Sequence, residues 1–169
     1  MATEAALLAL LKTNLIAETW PGGSFVVFPT GCVAITANAD IALQHALKTM
    51  RTPLALIQPL ESTSDPEFDD NPNYVQLNVQ IRIAVMVPGD ALGENPLIGA
   101  NKTGGATKSE GKGLFEVEQE VHSAIGAING AESFVLQCRQ KGAVSAQYLD
   151  SNTWVAWRDL TFEVMGTYL

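Results

Sequence analysis

A glycine- and lysine-rich stretch from Gly105 to Gly113 is the part of the sequence that comes nearest to a nucleotide-binding motif. A phosphate-binding loop needs a glycine five positions before its Gly-Lys pair, and a serine or threonine directly after the lysine to hold magnesium. If Gly111 and Lys112 are taken as the pair, Ala106 and Gly113 occupy those two positions. We therefore interpret the stretch as a solvated loop and predict no nucleotide cofactor.

The acidic stretch between residues 61 and 72 resembles the beginning of a calcium-binding loop. Such a loop has a glycine at its sixth position and a glutamate at its twelfth. Counted from Asp65, this chain has Asp70 and Gln76 there instead. The stretch is interpreted as a solvated acidic loop or as a loop that forms salt bridges at an interface. Its candidate interface residues are Asp65, Glu67, Asp69 and Asp70.

The two histidines and two cysteines do not form a pattern typical of a metal or catalytic site. His45 and His122 each lack a second histidine or cysteine at metal-ligand spacing. His122 lies four residues after Glu118, which predicts a surface pair on one helix. Cys32 and Cys138 are interpreted as small buried residues, and no Gly-x-Ser-x-Gly motif is present. We therefore predict no catalytic residues, no metal and no enzymatic activity.

Charge and composition restrict the classes of protein to which the chain can belong. Its 169 residues suffice for one domain, which we take to span residues 1–169. The net charge of −8 argues against tight nucleic-acid binding, although an acidic surface lets DNA pass without retaining it. No run reaches the roughly 18 apolar residues of a membrane helix, and no basic region of a signal peptide begins the sequence. We expect no membrane association and a reducing cytoplasm.

The longest regular pattern is an alternation of apolar and polar residues from Gln76 to Val87. The odd-numbered positions are apolar and the even-numbered positions as far as Arg82 are polar, which predicts a strand with one face on the core. Twelve residues at roughly 3.3 Å each would span about 40 Å, so we expect the strand to cross the domain and project from it. A flexible loop is predicted at about 88–113. Its candidate interface residues are Asn101, Lys102, Lys108 and Lys112.

Shorter patterns predict the remaining elements. Apolar residues at helical spacing predict three helices, at residues 3–19, from Asn38 or Asp40 to about residue 50, and at 114–128. Runs of β-forming residues predict short strands, at 25–28, 33–37 and 54–57. The first two runs form either a hairpin or separate strands. Three strands after residue 133 are predicted to form a meander, with turns at residues 140–142 and 150–152. This grouping predicts an α+β fold with a mostly antiparallel sheet and a long projecting strand or hairpin, flanked by two or three helices.

Two arginines within strands are further candidates for an interface. Arg82 lies on the polar side of the long strand. Arg158 interrupts the apolar side of the last strand, so it either pairs with a carboxylate in its own chain or faces a neighbouring subunit. An intersubunit ion pair is the alternative that we favour for Arg158.

The order of these elements resembles the tail terminator proteins of long-tailed bacteriophages. The resemblance rests on an amino-terminal helix, a proline-bracketed strand (Thr52 to Ile57), the long strand with its loop, an amphipathic helix, and a terminal antiparallel region closing with Arg158 to Leu169. It implies a homohexameric ring that caps the head-proximal end of the tail tube, stops tube polymerisation and joins the tail to the head connector. It also implies a place in the virion, assembly in the host cytoplasm, and two partners: the tail tube protein and the neck or head-completion connector.

Other functions are open on the same sequence. Tail-tube, neck and head–tail completion proteins are structural alternatives with related folds. A small ligand-binding or enzymatic α+β domain is the alternative from another class, and polar groups converging in a pocket would distinguish it. If the chain is a terminator, we expect deletion of residues 91–111 to leave the domain folded but to impair assembly, because a loop that packs on nothing adds little stability.

Overall fold

The computed structural model describes residues 4–23, 25–49, 52–61, 74–88, 94–99, 112–131, 134–149 and 153–167 of the chain. These residues form, in order, α1 (Glu4–Ala17), β1 (Val33–Ile35), α2 (Ala39–Thr49), β2 (Leu54–Pro59), β3 (Tyr74–Pro88), α3 (Asn95–Ile98), α4 (Leu114–Ala131), β4 (Phe134–Lys141), β5 (Ser145–Leu149) and β6 (Thr153–Thr167). The pair of β1 and β2 is parallel, and each of the other named strand pairs is antiparallel. The predicted α+β class with a mostly antiparallel sheet is therefore confirmed.

Two fifteen-residue strands, β3 and β6, form the centre of the sheet. They pair antiparallel over their whole length, from Tyr74 opposite Thr167 to Pro88 opposite Thr153. On the other side of β3, β2 pairs with its middle part, and β1 lies outside β2. The odd-numbered side chains of β3 are buried from residue 77 to residue 87, so the strand crosses the core over this length and does not project from it.

The last three strands do not form the predicted meander. β4 and β5 both pair with the same edge of β6, one after the other, and the hairpin is the one between β5 and β6. A register shift between Cys138 and Gln140 places a bulge in β4. Just beyond β4, the Gly142 N–H donates to the Asp159 carbonyl oxygen at 2.7 Å, so the chain stays beside β6 where the sequence predicted a turn. β4 and β5 are therefore two parts of one interrupted strand.

Helices lie on both faces of the sheet. α1 and α4 pack together on the face that carries the odd-numbered side chains of β3, and α2 lies on the opposite face. In α2, the Asn38 side-chain oxygen accepts hydrogen bonds from the N–H groups of Asp40 and Ile41, which makes Asn38 the N-cap. The face of α1 that packs on the core is a leucine stripe at helical spacing. The buried members of this stripe are Leu7, Leu8, Leu11 and Leu15.

Part of the predicted 88–113 loop is folded against the core. Residues 94–99 contain the one-turn helix α3, which packs against β3, β6 and α4. Pro96 is buried, and Leu97 packs against the hydrophobic core. The expectation that this loop packs on nothing is therefore wrong for residues 94–99. Deleting residues 91–111 would remove side chains that belong to the core.

The two β-rich runs near the amino terminus do not form a hairpin. Residues 25–28 make an isolated bridge, between Val26 and Thr19, while Val27 and Phe28 are buried in the core. The run at 33–37 supplies β1, which pairs in parallel with β2. Burial of the Val27 and Phe28 side chains, together with the bond from the Val27 N–H to the Glu18 carbonyl oxygen at 2.9 Å, fixes residues 27 and 28.

Candidate functional site

A charged pocket of about 250 Å³ lies between the first half of α4 and the corner of the sheet formed by β4 and β6. Glu118 and His122 are four residues apart on α4, so they lie on the same side of the helix. Lys141 ends β4 opposite Leu160, and Arg158 lies two residues before Leu160 on β6, so both cations point to the face covered by α4. The lining residues are Phe115, Glu118, Gln119, His122, Lys141 and Arg158.

The Glu118 carboxylate is the centre of this charged pocket and is only 6% exposed. Its Oε1 lies 2.6 Å from Lys141 Nζ, and its Oε2 lies 2.8 Å from Arg158 Nη1. The Nε of Arg158 donates to the Gly142 carbonyl oxygen at 2.7 Å, which fixes the guanidinium beside the carboxylate. Burial would raise the pKa of Glu118, but the hydrogen bonds from Lys141 and Arg158 outweigh it and lower the pKa. Glu118 is therefore a carboxylate at neutral pH.

His122 stands beside this carboxylate without bonding to it. Its Nε2 lies 3.8 Å from Glu118 Oε1, and this buried atom has no hydrogen-bond partner among the described residues. The imidazole ring packs at a tilt against Phe162, with 5.8 Å between ring centroids. Burial and the nearby Lys141 charge lower the pKa of His122, and Glu118 opposes them without cancelling them. The imidazole is therefore neutral at neutral pH.

These groups make the charged pocket better suited to bind an anion than to perform acid–base chemistry. Each oxygen of Glu118 is occupied by a cation, so the carboxylate is a weak proton acceptor. Two cations face one carboxylate, which leaves a positive balance while His122 is neutral. Phe115 is 43% exposed, and the Arg158 guanidinium lies 5.8 Å from the centre of its ring. The described residues hold no group of three or more His, Cys, Asp or Glu side chains placed to bind a metal ion.

A second ionic network lies on the opposite face of the sheet and has a structural role. Arg82 and Asp159 are directly opposed on β3 and β6, and they form a bidentate pair at 2.7 and 2.9 Å. The Arg82 Nη1 also donates to Asp40 at the start of α2, at 2.5 Å. The bonds to Asp159, and then to Asp40, raise the pKa of Arg82 although its burial opposes this. The network holds the start of α2 against the sheet.

The candidate interface residues from the sequence divide into two groups. Arg82, Arg158 and Lys112 all have partners within their own chain; Lys112 pairs with Glu116 at 3.1 Å and lies 4.8 Å from the centre of the Trp20 ring. For Arg158, the intrachain alternative is the one that the structure has. The other candidates lie outside the described residues: Asp65, Glu67, Asp69, Asp70, Asn101, Lys102 and Lys108.

Two smaller predictions are also corrected. Glu118 is buried, so its pairing with His122 is not at the surface. Cys32 is buried as predicted, whereas Cys138 is exposed. Cys138 pairs with Phe162 next to the β4 bulge, where the strand is at the edge of the sheet and little covers it.

Sequence reasoning missed the charged pocket, although two residues pointed to it. Glu118 lies directly after Val117 in the buried stripe of α4, and Arg158 interrupts the apolar side of β6. Two opposite charges that each interrupt an apolar pattern are expected to pair, because a buried charge without a partner is strongly destabilising. Lys141 carried no such indication, because the sequence placed it in a turn.

The two edges of the sheet are unlike each other. On one side, β4 and β5 pair with β6, and no described strand pairs with their other edge, which we call the outer edge. The outer edge carries exposed apolar side chains, with Val135 at 45% and Tyr148 at 53% exposure. On the other side the sheet ends at β1, which has three residues. The Asn129 side chain covers part of the outer edge, because it donates to the Leu136 carbonyl oxygen at 3.0 Å and accepts from the Leu136 N–H at 2.8 Å. The rest of the outer edge is a template for pairing with another chain.

Comparisons with known proteins do not identify a family. No family model matches the chain, and no curated protein matches it. A solved structure from Akkermansia muciniphila, described as lacking its transmembrane region, shares 8% identity over 99% of this chain and 87% of its own, with a TM-score of 0.30. A similarity of that degree establishes no common fold. Among the described helices, none has the length and hydropathy needed to cross a bilayer.

Proposed function

We propose that this protein is a structural component of a bacteriophage tail, and that it is the terminator. In this role six copies form a ring on the head-proximal end of the tail tube, stop tube polymerisation and present the opposite surface to the neck or head-completion connector. The protein acts in the virion and assembles in the host cytoplasm. DNA passes through the ring without specific binding.

The outer edge formed by β4 and β5 is the observation that carries the proposal. Apart from Leu136, whose N–H and carbonyl oxygen bond to the Asn129 side chain, the backbone of the outer edge can receive a strand from a neighbouring chain. The exposed side chains of Val135 and Tyr148, on opposite faces of the sheet, can each bury apolar surface along this edge. The opposite end of the sheet is unlike it, since β1 is short and pairs in parallel. Two dissimilar surfaces permit head-to-tail contacts, which close into a ring when the rotation between copies is right.

The distribution of charge supports passage of DNA through the ring. The structure describes seven lysines and arginines, and five of them pair with carboxylates of the same chain, namely Arg82, Lys112, Arg139, Lys141 and Arg158. With a net charge of −8, the chain has little cationic surface with which to displace counterions from phosphate. DNA therefore meets a surface that repels it weakly and does not hold it.

Two double variants test whether the outer edge mediates assembly. Lysine at Val135 and Gln147 places two charges on the outer edge, which natural sheets use to prevent pairing. We expect the wild type to form rings in multi-angle light scattering and negative-stain images, and the edge variant to shift towards monomer. The matched control places lysine at Ile41 and Gln44, an exposed isoleucine and glutamine on α2, and should assemble as the wild type does. A wild-type protein that stays monomeric at high concentration and forms no ring on tube ends would contradict the proposal.

Mixing with tail-tube subunits distinguishes the terminator from its structural alternatives. A terminator caps the tube and stops its growth, whereas a tube protein extends it, and a neck or completion protein leaves the length distribution unchanged. Tube length in negative-stain images is the measurement.

The charged pocket favours a second candidate, a small ligand-binding domain. It brings Glu118, His122, Lys141 and Arg158 together beside an exposed aromatic ring. Isothermal titration with small mono- and dicarboxylates tests this candidate. If the protein binds a carboxylate, stays monomeric and forms no ring on tube ends, the ligand-binding domain is favoured over the terminator.

A further inference from the structure

We infer that the charged pocket of one subunit binds the acidic segment 61–72 of a neighbouring copy, with Phe68 against Phe115 and the flanking carboxylates on Lys141 and Arg158. The inference deepens the proposed function, because it rests on head-to-tail assembly and names one contact that would maintain it. The surfaces involved are different on the two copies, as a closed ring requires.

The charged pocket retains hydrogen-bond donors for an incoming carboxylate. A guanidinium has five N–H donors and an ammonium has three. Among the described residues, Arg158 uses Nη1 on Glu118 and Nε on Gly142, and Lys141 pairs with Glu118. The Lys141 side chain is half-exposed, at 50%, so it can approach a second acceptor without moving the sheet. The exposed ring of Phe115 adds an apolar wall next to these donors.

The segment has the complementary chemistry. From residue 61 to residue 70 it holds five of the eighteen acidic residues of the chain and no lysine or arginine. Phe68 is the aromatic residue at its centre, with Glu67 before it and Asp69 and Asp70 after it. An aromatic residue between carboxylates fits a site that has an aromatic wall between cations. Lys141 and Arg158 place two cations at this corner of β4 and β6, on the face covered by α4.

The segment of the same chain is poorly placed to reach its own charged pocket. Tyr74, where the segment joins β3, lies opposite Thr167, and Arg158 is nine residues back along β6. Nine residues of strand span roughly 30 Å. Phe68 is six residues from Tyr74, so its Cα can extend at most about 21 Å from that point, and the segment would have to be fully extended towards its own pocket for the side chains to meet. A neighbouring copy has no such restriction, which is why we assign the segment to it.

A synthetic peptide of residues 61–72 tests the contact on the edge variant with lysine at Val135 and Gln147, labelled with ¹⁵N, because its shift towards monomer leaves the charged pocket empty. We expect the peptide to shift amide resonances at residues 115–122, Lys141 and Arg158. A peptide with asparagine or glutamine in place of its five carboxylates should bind at least about tenfold more weakly, and a peptide with F68A should also bind more weakly. Because these changes are in the peptide, they cannot disturb folding of the protein.

A matched pair of protein variants locates the peptide on the charged pocket. Lys141→Gln removes one cation from the pocket and should weaken binding at least about tenfold. Lys48→Gln makes the same change on an exposed lysine of α2, on the opposite face of the sheet, and should have no effect. Circular dichroism verifies that both variants are folded.

Carbodiimide crosslinking of a mixture of ¹⁴N and ¹⁵N protein then shows which copy supplies the segment. We expect crosslinks that join Lys141 to carboxylates of residues 65–70 and that carry both isotopes. Crosslinks confined to one isotope, peptide shifts away from the pocket, or equal binding of the neutral peptide would each overturn the inference. Light scattering measures ring formation independently of the crosslink. If rings form without this crosslink, the contact between the charged pocket and segment 61–72 is overturned, and the proposed function stays in place.

Discussion

Replacing Gly113 by alanine tests whether residues 94–99 are seated against the beginning of α4. A Cβ at this position would lie 2.3 Å from Gly99 N, 2.6 Å from the Ile98 carbonyl carbon and 2.6 Å from the Leu97 carbonyl oxygen. All three are backbone atoms, so no rotamer change can relieve the contact. Either the 94–99 segment or the first turn of α4 must move.

The cost of this movement can be estimated from known effects of overpacking. Extra carbon atoms in a packed interior lower the free energy of unfolding by about 1–3 kcal/mol. Because the new Cβ of Gly113→Ala meets three backbone atoms, we expect a loss in the upper part of this range, at about 2–3 kcal/mol. At roughly 2–4 °C per kcal/mol for a protein of this size, the melting temperature should fall by roughly 4–12 °C. Urea unfolding at constant pH measures the loss of free energy, and circular dichroism measures the melting temperature.

Gly126→Ala is the matched control within α4. A Cβ there meets nothing within 4 Å, and the position is inside the helix. Alanine is favoured over glycine in a helix interior by about 0.5–1 kcal/mol, so this variant should be more stable than the wild type. The same substitution at two positions is therefore expected to have opposite signs. If Gly113→Ala is as stable as the wild type, residues 94–99 are not docked against the beginning of α4.

Three further predictions follow from the networks and the cysteines. Arg82→Met should lower the free energy of unfolding by about 2–4 kcal/mol by urea titration, and adding Asp159→Leu should recover part of it; a double variant no better than the single would contradict the pairing. Because the folded pKa of His122 is lowered from 6.5, the wild type should lose stability as pH falls below 6.5, and His122→Gln should lose less; equal slopes would exclude the histidine as the cause. Cys138 should react rapidly with an aromatic disulfide reagent while Cys32 reacts only on unfolding, as the Cys138→Ser variant will verify.

The regular elements could be predicted because their patterns are long. Alternation from residue 76 to 87 predicted β3, and leucines at helical spacing predicted α1, since each pattern repeats often enough to exclude the other period. The parallel pairing of β1 could not be predicted, because three residues carry no information about their partner. The break at Gly142 was mistaken for a turn, because a glycine marks a bulge as readily as a hairpin.

The charged pocket was harder to foresee because its parts come from three elements. Glu118, Lys141 and Arg158 lie on α4, β4 and β6, and they meet only when the β4 bulge returns Lys141 to the face under the helix. The docking of residues 94–99 also had no sequence pattern, since Pro96 and Leu97 are too few to establish a period. In both cases long-range packing decided what local spacing could not.

The position of β6 in the sheet has a consequence for how the chain folds as it is made. β6 joins β3, β4 and β5, yet it is synthesised after all three, and the Tyr74–Thr167 pair brings together residues far apart in the chain. Until residues 153–167 emerge from the ribosome, β4 and β5 lack their partner strand, and β3 can pair only with β2 on its other side. Slow folding and dependence on chaperones during synthesis are the expected results, because the entropy of closing such distant loops must be overcome before the pairing stabilises them.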